Sequence, residues 1–244
     1  MGRFQRLRIV HDLRSHRCPA GQVWAAGVAA CLMAVVGISH MASGQQASPG
    51  RELLVAAERG DMVTLKRLVA AGASLDPVDG ARRTPLLIAV EKGYLEAAVL
   101  LMEAGADINS QAANLDTPWL LAGALGRTKM LQHMLPRHPD LSLRNRFGGN
   151  ALIPACERGH VETVRLLLTT RIDINHVNNL GWTCLLEIVV LGDGGPRHVE
   201  ITGLVLAAGA NPNLPDKDGQ SPLAHARRKG QHEVARLIAA AGGK

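Results

Sequence analysis

The chain has 244 residues, of which 47% are apolar and only 2% aromatic, so a buried core must consist chiefly of Leu, Ala and Val. The formal net charge is +6, but residues 1–44 hold five Arg and one Asp, which leaves 22 basic and 20 acidic side chains, a net +2, for the rest. Since the remaining acids and bases are also interleaved, this composition disfavours nucleic-acid binding.

The amino-terminal segment has the parts of a secretory signal peptide. Five arginines precede a 16-residue apolar stretch, 23–38, and the small residues Ala42, Ser43 and Gly44 follow it. This order predicts export, with cleavage after Gly44 and a periplasmic destination. An uncleaved membrane anchor formed by 23–38 is the alternative, although a spanning helix normally needs about 20 apolar residues. Residues 45–50 are predicted to form a mobile polar linker.

Beyond residue 50, a short pattern recurs every 33 residues. It is clearest in residues 84–89, Thr-Pro-Leu-Leu-Ile-Ala, and returns in residues 117–122, Thr-Pro-Trp-Leu-Leu-Ala. Six copies begin at residues 51, 84, 117, 150, 183 and 221, the last one displaced by five inserted residues, 193–197. A glycine stands nine residues after each start, at positions 60, 93, 126, 159, 192 and 230.

A period of 33 residues with a Thr-Pro-Leu-x-x-Ala start resembles the ankyrin repeat family, and the resemblance covers residues 51–244. It implies an all-α solenoid of six helix-turn-helix repeats with short β-turn fingers, in which each repeat covers the apolar face of its neighbour. It also implies a non-enzymatic module that binds protein partners through a concave groove, formed by the fingers and the first helices. We expect no cofactor, no membrane insertion of the mature domain, and a monomer.

Within each copy, the hydroxyl residue should cap a first helix, the proline should occupy its first position and the glycine should end it. Pro154 lies within the predicted first helix of repeat four, where it should remove a backbone hydrogen bond or bend the helix. Glu187 and His225 occupy the same place in repeats five and six, where they could form a polar pair across the helix stack.

The candidate binding site is a cluster of apolar residues at groove positions of repeats three to five. Counted from the start of each copy, these positions are charged towards both ends of the solenoid and apolar in its middle. Exposed apolar surface rimmed by charge is typical of a protein-binding site. Trp182 could instead fold back over the first helix of repeat five. We call this cluster the apolar patch; it consists of Leu125, Phe147, Leu180, Trp182, Val190 and Leu191.

Two cysteines, Cys156 and Cys184, remain after the predicted cleavage. Packed helix axes lie about 8 to 10 Å apart, whereas a disulfide needs a Cα separation below roughly 7 Å. We therefore expect two buried free thiols, the alternative being a stabilising disulfide formed in an oxidising compartment.

No catalytic or metal-binding constellation is recognisable in the sequence. It lacks a His-x-x-x-His pair, a Cys-x-x-Cys-His haem site, a Gly-x-Ser-x-Gly nucleophile and a phosphate-binding loop. One alternative function is a periplasmic chaperone or regulator that assists an enzyme. Another is a ligand, metal or cofactor binder that uses Cys184, Glu187, His225 and the insertion 193–197. An enzyme of unknown type comes third.

Overall fold

The computed structural model describes residues 48–244, which form six consecutive pairs of α-helices and, within that range, no strand. Each pair coincides with one predicted repeat. The first helices of the pairs are α1 (Pro49–Arg59), α3 (Pro85–Lys92), α5 (Pro118–Ala124), α7 (Leu152–Glu157), α9 (Cys184–Val190) and α11 (Pro222–Arg228). The second helices are α2 (Met62–Ala70), α4 (Leu95–Glu103), α6 (Thr128–Met134), α8 (Val161–Leu167), α10 (Pro196–Ala207) and α12 (His232–Ala240), and a 3-10 turn (Leu135–Arg137) follows α6.

The helix pairs stack into a solenoid, because each first helix packs against the next first helix and each second helix against the next second helix. Leu and Ala side chains fill the space between them. Trp119, on α5, is the largest of the fully buried side chains in the described solenoid. A core shared only between neighbouring repeats is what the 33-residue period predicts. The predicted signal peptide, and the alternative membrane anchor formed by 23–38, lie outside the described residues.

The first helices begin as predicted in most repeats. Thr84 accepts a hydrogen bond from the amide of Leu87 at 3.2 Å, and Thr183 accepts one from Leu186 at 3.2 Å. Thr117 and Ser221 cap α5 and α11 in the same way. Each hydroxyl satisfies an amide that has no acceptor within its own helix.

The first helices also end at a left-handed glycine in five of the six repeats. The exception is repeat five, where Gly194 within the insertion has φ +68° and Gly192 is not left-handed. Gly192 is still needed, because a Cβ there would lie 2.3 Å from the backbone oxygen of Ile188. The insertion therefore moves the left-handed turn two residues along the chain.

The predicted linker 45–50 ends earlier than expected. Helix α1 starts at Pro49, and the Ser48 hydroxyl accepts a hydrogen bond from the amide of Arg51 at 3.4 Å. An ion pair between Glu52 and Arg67 then joins α1 to α2. The first repeat thus has its own cap, upstream of the position that the repeat pattern indicated.

Pro154 does not disrupt α7, contrary to the prediction. Asn150 replaces the hydroxyl cap, its Oδ1 accepts from the amides of Leu152 (3.1 Å) and Ile153 (3.3 Å), and the helix starts at Leu152. Pro154 therefore occupies the first turn, where a backbone amide has no intrahelical acceptor in any case.

The two cysteines form a disulfide between α7 and α9, so the expectation of free thiols is wrong. Their Cα atoms are 5.6 Å apart, and both residues are buried. The error lay in using the separation of the helix axes. Each Cα lies about 2.3 Å from its axis, so two residues on the facing sides of packed helices approach more closely than the axes do.

The fingers are the turns that precede each first helix, and they have the predicted β-turn form. Before α9, for example, the amide of Gly181 donates to the oxygen of Asn178 at 2.9 Å. Backbone hydrogen bonds also join successive fingers into a row. These run from Ala113 N to Ala81 O (2.9 Å), from Arg146 N to Asn114 O (3.2 Å) and from Asn179 N to Phe147 O (2.9 Å).

Candidate functional site

Three residues of the apolar patch are strongly exposed. Phe147 (44%) and Leu180 (49%) lie on the fingers before α7 and α9, and Leu191 (51%) follows the end of α9. The backbone bond between Asn179 and Phe147 places the two fingers side by side. Large apolar side chains are thus presented on adjacent elements at the junction of repeats four and five.

The other three members of the apolar patch are half-buried. Trp182 and Val190 pack against the core, and Leu125 lies at the carboxyl end of α5. Trp182 is thus partly buried against the core and partly exposed, so the two roles suggested for it are not separated by its burial. Phe147, Leu180 and Leu191 are therefore the most exposed members of the apolar patch.

Leu115 is an exposed apolar finger residue that sequence reasoning missed. It lies on the finger before α5, is 45% exposed and has φ +63°. The equivalent places in the next three fingers are occupied by Gly148, Gly181 and Gly219, all with positive φ. Comparing the copies at this place would have revealed a leucine where the backbone favours glycine.

Glu187 is a buried acid on α9, with 4% of its surface exposed. Its Oε1 accepts a hydrogen bond from Asn178 Nδ2 at 2.9 Å. The Asn178 Oδ1 also accepts from the amides of Leu180 (2.9 Å) and Trp182 (3.0 Å). Asn178 therefore shapes the finger that carries two residues of the apolar patch and ties that finger to Glu187.

The suggested pair between Glu187 and His225 does not form. His225 Nε2 bonds Asp216 Oδ2 at 2.6 Å, and Arg228 donates to His225 Nδ1 at 2.6 Å. Asp216 and Asn178 are equivalent residues at the base of successive fingers. Glu187 and His225 therefore each bind a residue of the finger in their own repeat.

The second carboxylate oxygen of Glu187, Oε2, is buried and has no hydrogen-bond partner within residues 48–244. Burial and, to a smaller extent, the Glu157 carboxylate raise the pKa of Glu187 to about 7, although the Asn178 hydrogen bond opposes both effects. Glu157 is half-buried at the end of α7. Glu157 and Glu187 thus lie on the adjacent first helices α7 and α9.

Charges in the first two repeats neutralise one another. Arg83 bonds Asp79 at 2.8 Å and Glu91 at 2.5 Å, and Lys92 bonds Glu58 at 2.5 Å. This part of the groove therefore has an internally paired charged surface, in contrast to the middle of the solenoid.

The insertion is held in place by its neighbours. Asp193 Oδ1 accepts from Gly195 N at 2.8 Å and pairs with His198 Nδ1 at 2.7 Å, while His198 Nε2 bonds the backbone oxygen of Glu157 at 2.9 Å. Of the inserted residues 193–197, the last two, Pro196 and Arg197, begin α10. The insertion therefore lengthens α10 and connects repeat five with repeat four.

The residues suggested for a ligand or metal site do not converge. Cys184 is bonded to Cys156, Glu187 to Asn178, and His225 to Asp216. Across residues 48–244, no group of three or more His, Cys, Asp and Glu side chains is arranged to hold a metal ion. In the same range, no helix has the length and apolar character needed to cross a membrane.

These features define a helical repeat solenoid with fingers, and comparison with known proteins identifies the family. The chain matches a family model described as ankyrin repeats (3 copies) over two stretches, residues 32–112 and 119–216. It is 40% identical over 192 residues to the ankyrin repeat protein YahD of Escherichia coli K12, an alignment that covers 78% of this chain and 96% of YahD. The chain belongs to the ankyrin repeat family.

Solved structures support the same assignment. An ankyrin repeat domain from Acinetobacter baumannii is 47% identical, with a TM-score of 0.76 over 79% of this chain and 98% of that domain. The ankyrin repeat domain of Bcl-3, a member of the IkappaB family, is 29% identical, with a TM-score of 0.70 over 79% of this chain and 86% of that domain.

Proposed function

We propose that this protein is a bacterial envelope module that binds a partner protein through the groove of repeats three to five. Ankyrin repeats are in general protein–protein interaction modules, and the similar proteins are themselves named as repeat proteins. The observation that carries the proposal is the exposure of Phe147, Leu180 and Leu191 on adjacent elements. Apolar side chains of this size are costly to leave in water, and clusters of them are typical of protein-binding surfaces.

The contrast along the groove supports this position. In repeats one and two the groove charges are paired with one another, so a partner would have to break ion pairs to bind there. At the junction of repeats four and five, a partner gains apolar contact without breaking such pairs. We place the binding energy at that junction for this reason.

Comparative affinity capture tests the proposal. The purified protein, a Phe147→Ala, Leu180→Ala variant and a Val63→Ala control would each be exposed to the native envelope fraction and analysed by mass spectrometry. Val63 is 80% exposed on α2, outside the apolar patch, so its loss should not affect binding. We expect a protein that the parent and the control capture and the double variant loses, while all three retain the same helical circular dichroism. Equal recovery by all three would contradict the proposed site.

Export to the periplasm is part of the proposal. It is supported by the basic and apolar segments of residues 1–44 and by the bond between Cys156 and Cys184, since disulfides persist mainly in oxidising compartments. The mass of the protein recovered from a periplasmic extract should correspond to cleavage after Gly44. Recovery of the full-length chain from membranes would instead support an anchor formed by 23–38. Light scattering of the same sample should give the mass of a monomer.

A further inference from the structure

We propose that the partner segment bound at the apolar patch is acidic, and that Arg158 and Lys229 receive its carboxylates. This inference rests on the proposed function, because it names the chemistry of the partner bound there. It is carried by the exposure of both basic side chains and by the backbone oxygens that they bond, which lie directly beside the apolar patch.

Arg158 occupies a place that in repeat two belongs to an internal ion pair. Lys92, eight residues after the start of its copy, pairs with Glu58 of the preceding repeat at 2.5 Å. Arg158 also lies eight residues after the start of its copy, but the residue that corresponds to Glu58 is Ala124. The Arg158 guanidinium donates instead to the backbone oxygen of Ala124 at 2.7 Å. Repeat three thus supplies no carboxylate at the place from which Glu58 neutralises Lys92.

Lys229 repeats this arrangement in the last repeat. Val190 occupies the place that corresponds to Glu58. Lys229 Nζ donates to the backbone oxygen of Val190 at 2.7 Å and to that of Gly192 at 3.3 Å. A guanidinium has five N–H donors and an ammonium group three. Both Arg158 and Lys229 therefore keep donors for an external acceptor.

Three further basic side chains extend the positive charge along the solenoid, at or near the starts of the second helices. An added Cβ at the glycine before Arg127 would lie 2.7 Å from His160 Nδ1, so the His160 ring lies against repeat three. An added Cβ at the glycine between Arg158 and His160 would lie 3.4 Å from the Cβ of Arg197. Arg127, His160 and Arg197 thus follow one another on consecutive repeats, next to Arg158.

The finger before α7 adds a basic group beside Phe147. The Arg146 guanidinium lies 4.6 Å from the centre of the Phe147 ring, and both residues are exposed. Basic side chains therefore lie beside the apolar patch both on the fingers and at the ends of the first helices.

Internal acids do not neutralise these six basic side chains. Among residues 48–244, none of the six takes part in a salt bridge. Acids at the same ends of the helices pair with other residues; they are Glu91, Glu162, Asp193, Glu200 and Glu233. Only Glu96, Asp116 and Glu157 lie there without an ion pair in the described range, so the net charge around the apolar patch is positive.

The order of side chains along the ends of the first helices predicts the sequence pattern of the partner. Apolar and basic residues alternate at equivalent places from repeat three to repeat six, which are Leu125, Arg158, Leu191 and Lys229. The first helices of these repeats pack on one another in this order, about 8 to 10 Å apart. An extended chain advances roughly 3.3 Å per residue. A segment lying along these helices should therefore carry apolar and acidic residues alternately at about every third position.

Phage display tests this inference. A random peptide library would be panned against the purified protein at low salt, and we expect enrichment of peptides with Asp or Glu about three residues from an apolar residue. For a synthetic peptide of this kind, Arg158→Gln and Lys229→Gln should each weaken binding by about threefold to tenfold, and the double variant by more. Arg165→Gln is the matched control, because Arg165 is exposed on α8 and pairs with Glu162 and Glu200. It should leave the affinity unchanged.

The salt dependence of binding separates a charge contact from a structural role of these residues. Raising the ionic strength should weaken peptide binding to the parent more than binding to the double glutamine variant. Arg158→Lys should retain more affinity than Arg158→Gln, because it keeps the positive charge. Circular dichroism would confirm that each variant is folded.

The failure of this inference can be told from the failure of the proposed function. If the enriched peptides lose binding in the Phe147→Ala, Leu180→Ala variant but lack acids, or bind the double glutamine variant as tightly as the parent, the acidic partner is wrong and the proposed function stands. If no peptide is enriched, or if binding does not depend on Phe147 and Leu180, both proposals are overturned.

Discussion

At the residue scale, Glu187 makes the stability of the protein depend on pH. An ordinary glutamate has a pKa of 4.5, whereas the pKa of Glu187 in the folded protein is about 7. Between these values the folded state holds a proton that the unfolded state has released, so the free energy of unfolding falls as the pH rises. The stabilisation is complete below pH 4.5 and lost as the pH passes through about 7, a change of at most about 3 kcal/mol.

Glu187→Gln should remove this pH dependence, because a glutamine stays neutral while its side-chain oxygen can still accept from Asn178. Urea denaturation at several pH values between 4.5 and 8 would measure it. We expect the variant to be more stable than the parent above pH 7. A parent whose stability did not fall between these pH values more than that of the variant would contradict the assignment.

Leu115 provides a second residue-scale prediction. A left-handed conformation costs a leucine about 1 to 2 kcal/mol, and glycine avoids that cost but loses more backbone entropy on folding. Leu115→Gly should therefore raise the free energy of unfolding by about 0.5 to 1 kcal/mol. Arg82→Gly, at the equivalent place with φ +59°, is the matched control and should give a similar gain.

The two glycine variants should differ in partner capture, because Leu115 extends the row of apolar finger residues and Arg82 does not. We expect Leu115→Gly to reduce recovery of the partner and Arg82→Gly to leave it unchanged. Unchanged recovery by both would limit the binding surface to the fingers before α7 and α9.

At the element scale, the disulfide should be a major source of stability for repeats four and five. It spans 28 residues, and closing a loop of that length in the unfolded chain is worth about 3 to 4 kcal/mol. Adding a reductant should lower the thermal midpoint of the parent, while a Cys156→Ala, Cys184→Ala variant should not respond. A free-thiol assay on the denatured, unreduced mature protein should detect no thiol. A reading of two thiols would contradict the bond.

His198 connects the insertion with repeat four through Asp193 and the backbone oxygen of Glu157. His198→Ala should destabilise the protein by about 1 to 3 kcal/mol, because it removes a buried side chain and leaves the backbone oxygen of Glu157 without its donor. His232→Ala, at the start of α12, is a control without these bonds. Chemical denaturation of the two variants and the parent would show whether the loss is specific to His198.

The helices could be predicted from the sequence because the information for them is local. A hydroxyl residue, a proline and a glycine at fixed spacing determine where each first helix starts and ends, and each repeat packs only on its neighbours. The disulfide was not predictable from spacing, because it depends on which sides of α7 and α9 the two cysteines occupy. Pro154 was misjudged for a related reason, since Asn150 delays the start of α7 and places the proline in the first turn.

At the scale of the whole molecule, the repeats differ in ways that the period alone does not describe. The first two repeats pair their groove charges, whereas the middle repeats present the apolar patch. Of the residues that the sequence predicts for the apolar patch, Trp182 and Val190 are partly buried against the core. The bond between Asn178 and Glu187 could not be foreseen, because it depends on how the finger folds over α9.

The central claim is that a partner protein occupies the groove at the junction of repeats four and five. Site-specific photo-crosslinking in living cells tests it most directly, with a photoreactive amino acid replacing Leu180 in one strain and Val63 in another. Both residues are exposed, but only Leu180 belongs to the apolar patch. We expect one discrete crosslinked protein from the Leu180 position and none from the Val63 position. No crosslink at Leu180, or the same crosslink at both positions, would contradict the claim.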